Sequence, residues 1–318
     1  MKMYRNARPE DFAVSSAAIR QTIHEIREVH KLNLHSFLML RRGVLIWEEY
    51  FRKDEKERLH VLHSVSKSFT STAIGLAQAE GLLSIEDKLY DFFPEYADTC
   101  DSDDKRALTL RHLLMMGSGF ENREHEMWVE NTPVKAALAL PVIHKPGTVF
   151  DYYTLGTYLL SIVFSRVNPE GIHAYLRRKL LEPMGCGVSQ WNVDDDNGVP
   201  FGGFGMFLTA YDITRLGQLY LNGGAWEGQQ LLPTAYAREA TARQICNCSG
   251  TNKDRDWQAG YGYQFWRNSF GGFRADGMHG QYIIVLPEQE AVIVMTSHLQ
   301  DMQLPLTAVE THLLPGMG

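Results

Sequence analysis

Apolar positions along this chain change their period four times. Between residues 14 and 30, Ile19, Ile23, Ile26 and Val29 recur at three- and four-residue intervals, which predicts an amphipathic opening helix. The runs Ser36 to Leu40 and Val44 to Phe51 are strand-like, and Arg41-Arg42-Gly43 between them reads as a tight hairpin turn with its glycine at positive φ. Helical spacing then returns with Phe69, Ala73, Ile74 and Ala77, a stripe that ends near Gly81. Thr109 is placed as an N-cap for Leu110 to Met116, with Gly117-Ser118-Gly119 as the stop. Val134 to Leu140, Gly156 to Val167 and Ala174 to Leu181 continue the helical pattern. After about residue 258 the period reverts to that of strands. Gly260 to Arg267, Gly280 to Leu286 and Ala291 to Ser297 are short aromatic or β-branched runs set off by Gly and Pro, and Leu304 to Leu314 closes the chain as a helix.

Strands at both ends with helices between them predict one sheet assembled from the two termini and a mostly helical region inserted in the middle. The expected organisation is a single catalytic unit over residues 1–318, with a sheet subdomain from 1–60 and 258–318, a helical subdomain from about 61–257, and a site at their seam.

Composition narrows the function classes. The chain has 318 residues, 44% hydrophobic and 22% charged, enough to bury a full core. Its net charge of −7 and the lack of any basic run beyond Arg177-Arg178-Lys179, itself expected to be a solvated helix face, leave no footprint for nucleic acid or an anionic membrane. No apolar run approaches the ~18 residues of a membrane span and the start lacks a secretory core, so the expected location is cytoplasmic. The four cysteines, Cys100, Cys186, Cys246 and Cys248, are few and scattered and read as reduced thiols. His60 and His63 share a helical spacing but have no evident third ligand, so neither a metal nor a cofactor is expected. Asp194-Asp195-Asp196-Asn197-Gly198 lacks the ligand spacing of a calcium loop and reads as a surface turn.

The candidate chemistry lies at the head of the apolar stripe. In Ser64-Val65-Ser66-Lys67 the hydroxyl and the ammonium are one helical turn apart and can meet. A serine hydroxyl is a poor nucleophile until a neighbour removes its proton, and a lysine does so only when burial or another cation lowers its pKa. Ser102 and Lys105 have the same spacing, but Asp101 to Arg106 is wholly polar and reads as a solvated loop that cannot desolvate a lysine. A third group, Tyr152, follows the Pro146-Gly147 turn ahead of an apolar helix. Its phenol beside Lys67 is placed to relay a proton, although a tyrosine beside a turn is also an ordinary packing residue.

Three motifs in order then make the chain resemble the serine β-lactamase and penicillin-binding superfamily, specifically class C β-lactamase-like esterases, D-aminopeptidases and 6-aminohexanoate-oligomer hydrolases. They are S-x-x-K at Ser64 and Lys67, a Tyr-x-Asn position at Tyr152-Tyr153-Thr154, and a Lys-Thr-Gly position aligned with Met278-His279-Gly280 ahead of Gln281. The resemblance covers nearly the whole chain. It implies an α+β, three-layer α/β/α fold of the β-lactamase/transpeptidase type, with an antiparallel sheet. It implies Ser64 as the acylated nucleophile, Lys67 as its charge-tuning partner and Tyr152 as the proton shuttle. The N–H groups of Ser64 and Gln281 would form the oxyanion hole, each donor worth about 3–4 kcal/mol in the transition state.

The departures are as informative as the matches. Thr154 stands where an asparagine would bind a substrate amide, and Met278 stands where a lysine would hold a carboxylate; His279 is either a partial replacement for that lysine or a space-filling strand histidine. Thr154, Met278, His279 and Gly280 are thus the substrate-binding candidates. Met115, Met116, Met127, Met278, Trp128 and Trp191 are candidates for an adaptable apolar pocket, most of them for the core. The expected activity is a serine hydrolase acting through an acyl-enzyme on a small ester, amide or peptide, with weak or no β-lactam turnover. The alternatives are a D-amino-acid peptidase or carboxypeptidase, a class C-like β-lactamase, and a non-catalytic ligand-binding module.

Overall fold

The computed structural model describes residues 7–123, 134–248 and 254–318. A six-stranded antiparallel sheet runs in the order β2-β1-β11-β10-β9-β8, where β1 is Leu34–Arg41, β2 Val44–Tyr50, β8 Trp266–Arg267, β9 Phe273–Gly277, β10 Gln281–Leu286 and β11 Ala291–Ser297. The two ends of the chain meet where β1 pairs with β11, Phe37 opposite Met295 and Leu40 opposite Val292. The hairpin β1–β2 closes through Arg42 and Gly43, both at positive φ, the left-handed pair that matches strand twist.

Every residue of β1, β10 and β11 is buried, so both faces of the sheet are covered by other elements, and the strands read as near-continuous apolar runs. One cover is the helix Ala210–Leu221, which packs on β1, β10 and β11. Gly217 permits that approach, because a Cβ there would stand 2.5 Å from Val292 Cγ1 and 2.7 Å from Ile283 Cγ2. The opening helix Ser16–His24 buries Ile19 and Ile23, then widens into a π turn, Glu25–Val29, which turns Val29 out to solvent at 53% exposure while keeping Ile26 inside.

Between the terminal strands lie the helices Ser66–Ala79, Asp103–Ala107, Leu110–Leu114, Val134–Ala139, Thr154–Val167 and Ile172–Leu176, followed by Ala210–Leu221 and Thr234–Thr241. A small three-stranded sheet, β3 (His60–Val61), β5 (Met206–Leu208) and β4 (Gln190–Trp191), and a hairpin of β6 (Ala225–Trp226) and β7 (Gln229–Gln230) complete the described strands.

Two expectations need correction. Of Gly260 to Arg267 only Trp266–Arg267 is strand, while β9 was missed altogether. Its sequence, Phe-Arg-Ala-Asp-Gly, carries two charges, but Arg274 and Asp276 form an ion pair of 2.9 Å inside the fold, so what reads as solvent-facing is buried. The cysteines are also not all reduced: Cys246 and Cys248, with Cα atoms 5.7 Å apart, are joined in a disulfide, while Cys100 and Cys186 are free. Among the described residues no helix is long and apolar enough to cross a membrane.

Candidate active site

Ser64 lies in a 3₁₀ turn, His63–Val65, between β3 and the helix Ser66–Ala79. The small sheet anchors this turn from both sides: Leu62 N–H donates to the Met206 carbonyl at 2.8 Å, and Met206 N–H donates to Ser66 Oγ at 3.1 Å. His63 enters the turn at φ 47°, a conformation uncommon outside glycine. The large sheet comes equally close, since a Cβ on Gly277 would lie 2.3 Å from the Leu62 carbonyl oxygen and 3.2 Å from Ser64 N. Only a glycine lets the end of β9 pass behind the nucleophile.

The helix that follows is buried from Ser66 to Ala77, and its hydroxyls are satisfied inside: Ser68 donates to the Gln264 carbonyl, Thr70 to that of Gly202, and Ser71 Oγ pairs with the Tyr236 hydroxyl at 3.0 Å. This rigid setting fixes Lys67, only 1% exposed. Its Nζ donates to Ser64 Oγ at 3.1 Å and to the Gly203 carbonyl at 2.9 Å, and it sits 4.9 Å from the centroid of the Tyr152 ring. A cation over a ring face is attracted by the ring quadrupole, so Tyr152 holds the ammonium as well as facing it.

Tyr152 owes its place to local backbone. Gly147, at φ 83°, donates its N–H to the Gly117 carbonyl at 2.7 Å, and Asp151 N–H reaches the Met116 carbonyl at 2.9 Å. The phenol ring then stacks on Trp266, with centroids 5.4 Å apart, and meets Tyr261 edge-on. Asp276, on β9, feels Lys67 as well as its partner Arg274; burial pushes its carboxyl above the usual range, and the two cations oppose that shift.

Ser64 and Tyr152 open into a cavity of about 1260 Å³. Its wall combines Trp257 and Trp266 with the carboxylates of Asp151, Asp254 and Asp301, and among the described residues lining it there is no lysine or arginine. Of the substrate-binding candidates, Met278 lines this cavity, with 59% exposure. Thr154 begins the helix Thr154–Val167 and is buried against Gly203, where a Cβ would stand 2.5 Å from its Cγ2. His279, at φ 65°, turns away from the cavity wall: its ring is 4.2 Å from that of His298 and 5.4 Å from that of His63, and Nδ1 is 3.3 Å from the Leu299 carbonyl. Gly280, at φ 80°, makes the β9–β10 turn. The Gln281 side chain is buried and donates to the Ser297 carbonyl at 2.7 Å.

Gly277 was not among the candidates. The signal that would have found it is a second glycine three positions before Gly280, at the strand end. Met115, Met116 and Trp191 belong to the core, and Met127 and Trp128 lie outside the described residues.

The rival Ser102–Lys105 pair takes an unexpected form. Lys105 is as buried as Lys67, yet its Nζ is held by the Thr99 carbonyl at 2.8 Å and by Asp101, while Ser102 caps the helix Asp103–Ala107 by accepting from Lys105 N–H. The stretch is a folded cap, not a solvated loop, and its lysine does not reach the serine hydroxyl. His60 and His63 likewise part company: the His63 ring faces His279, and His60 faces His35.

The profile of the beta-lactamase family matches residues 19–308, nearly the whole chain. The chain belongs to the beta-lactamase family. A 6-aminohexanoate-dimer hydrolase from Paenarthrobacter ureafaciens is 23% identical over 290 residues, 84% of this chain and 73% of its own length. A penicillin-binding protein homologue from Caulobacter crescentus superposes with a TM-score of 0.73 at 17% identity, covering 96% of this chain and 97% of its own. A family VIII carboxylesterase superposes with a TM-score of 0.72 at 15% identity, covering 95% and 97%. Those two likenesses concern the fold; family membership makes the chain a β-lactamase-fold hydrolase.

Proposed function

We propose that this protein is a serine hydrolase that cleaves small neutral or amine-bearing esters or amides through an acyl-enzyme on Ser64. The observation that carries the reading is the buried Lys67, in hydrogen-bonding contact with Ser64 and under the ring of Tyr152, both of which line a cavity. In acylation Ser64 Oγ bonds to the substrate carbonyl carbon as its proton passes to the Lys67–Tyr152 pair. That pair then protonates the departing alcohol or amine as the scissile bond breaks. In the second half a water gives its proton to the same pair as its oxygen bonds to the acyl carbon; the bond from Ser64 Oγ to that carbon then breaks, the acid leaves, and the proton returns to Ser64 Oγ.

The developing oxyanion needs two donors near 3 Å. Ser64 N–H is one. For the second, the close approach of Gly277 to Ser64 N favours the next N–H along the chain, that of Met278 just past the end of β9, over Gln281, whose backbone pairs with Gly277 across the β9–β10 ladder. Met278 in the wall, the carboxylates around it and the turned-away His279 together disfavour substrates bearing a carboxylate, as β-lactams and C-terminal peptides do. The name of the curated relative, which denotes cleavage of a dimer of an amino acid, extends the substrate range from esters to amides.

The test is turnover of a chromogenic short-chain ester together with intact mass spectrometry of the trapped protein. An adduct on Ser64, absent in Ser64→Ala, is expected, and nitrocefin should be turned over poorly. Rapid nitrocefin hydrolysis with no ester turnover would move the protein to the β-lactamase alternative.

A further inference from the structure

Away from the catalytic cavity, three residues distant in sequence converge inside the fold. His35 is the second residue of β1, Glu55 lies in the turn that follows β2, and His60 opens β3. They are 6%, 1% and 7% exposed, and none of them lines the catalytic cavity. Glu55 Oε1 stands 2.5 Å from His60 Nε2 and 3.9 Å from His35 Nδ1, and one ligating atom from each residue lies within 4.8 Å of the others.

What distinguishes the group from packed polar residues is that its needs are unmet. Both ring nitrogens of His35 and both carboxylate oxygens of Glu55 are buried without a partner in hydrogen-bonding geometry. The nearest cation, Arg58, stays 3.5 Å from Glu55 Oε2 with its side chain 54% exposed. A buried carboxylate whose close neighbours are not aligned to donate to it is costly, as is an imidazole with neither nitrogen engaged.

We propose that His35, Glu55 and His60 form a binding site for a divalent transition metal, zinc by the chemistry of its donors. Two imidazole nitrogens and one carboxylate oxygen are a donor set that zinc takes with a fourth position left for solvent. Tetrahedral bonds of about 2.1 Å place ligand atoms about 3.4 Å apart, so the 2.5 Å contact opens and the 3.9 Å one closes by less than an ångström each. The role that follows from its place is positioning. The ion ties β1 of the large sheet to β3, and β3 leads within three residues into the turn that carries Ser64.

Tag-free protein, stripped with chelator and dialysed, is titrated with zinc sulfate in a calorimeter and followed by thermal denaturation. One saturable zinc per chain and a rise in Tm are expected, with both lost in Glu55→Gln, which keeps the side chain's size, and in His35→Asn. Zinc K-edge X-ray absorption on the wild-type protein gives a readout that does not depend on the variants folding. It should show two imidazoles and one carboxylate. Absence of saturable binding in wild-type protein overturns the proposal. So do unchanged stoichiometry in folded Glu55→Gln, and a spectrum with three imidazoles and no carboxylate.

Discussion

Two serines have a lysine three positions on, and only one lysine reaches back to its serine. Ser64→Ala should therefore abolish ester turnover while leaving the thermal midpoint nearly unchanged, because the change removes the hydroxyl's contact with Lys67 and little else. Ser102→Ala should do the reverse, leaving turnover intact and costing about 1 kcal/mol of stability in denaturant unfolding through loss of the cap. Tyr152→Phe keeps the stack on Trp266 and the ring under Lys67 but removes the phenolic proton, so kcat should fall about 10²–10⁴-fold with the fold intact. Near-wild-type turnover in that variant would leave Lys67 as the sole base.

Among the elements, the end of β9 and the start of the helix Leu110–Leu114 each make a checkable demand. Gly277→Ala places a methyl against the Leu62 carbonyl, a backbone atom that cannot swing aside, so the Ser64 turn must shift. A displacement approaching 1 Å costs about 10²-fold in kcat/KM, and Tm should fall as well. At Leu110–Leu114 the cap depends on His112, whose Nδ1 accepts the Thr109 N–H at 3.1 Å. Burial pushes the His112 imidazole below its usual 6.5, so the unfolded chain takes up a proton first as the pH falls. The stability from this group is present above about pH 6.5 and is lost as the pH drops from there toward the lowered folded value. His112→Gln retains an acceptor without titrating. Denaturant unfolding across that window should show a shallower pH slope for this variant than for wild type.

For the whole molecule the proposed preference for neutral or cationic substrates rests on the balance of charge. On that reading, a net charge of −7 and the carboxylates in the cavity wall would repel anions on approach and on binding. Between matched esters that differ only in a carboxylate or an ammonium at the acyl end, kcat/KM should favour the cation, and added salt should narrow the ratio. Equal efficiencies at low salt would show that the wall charge does not act on substrate.

Local pattern sufficed wherever local forces decide. The opening helix, the β1–β2 hairpin, the strands β10 and β11, the S-x-x-K turn and the Pro-Gly approach to Tyr152 follow from period, caps and turn residues within a few positions of one another. What the sequence could not decide is where polar residues end up, because burial is settled by partners far away in the chain. Arg274 and Asp276 look like solvent-facing residues and are instead an internal pair; Lys105 looks solvated and is buried on backbone carbonyls; His279, open between a substrate anchor and a packing residue, turns toward His298. His60 finds its companions at His35 and Glu55, not at His63, since β1 and β3 meet only when the termini close the sheet around the inserted helices. A charged side chain can be buried when the tertiary structure supplies its counter-charge or hydrogen bonds, and no window of neighbouring residues contains that information.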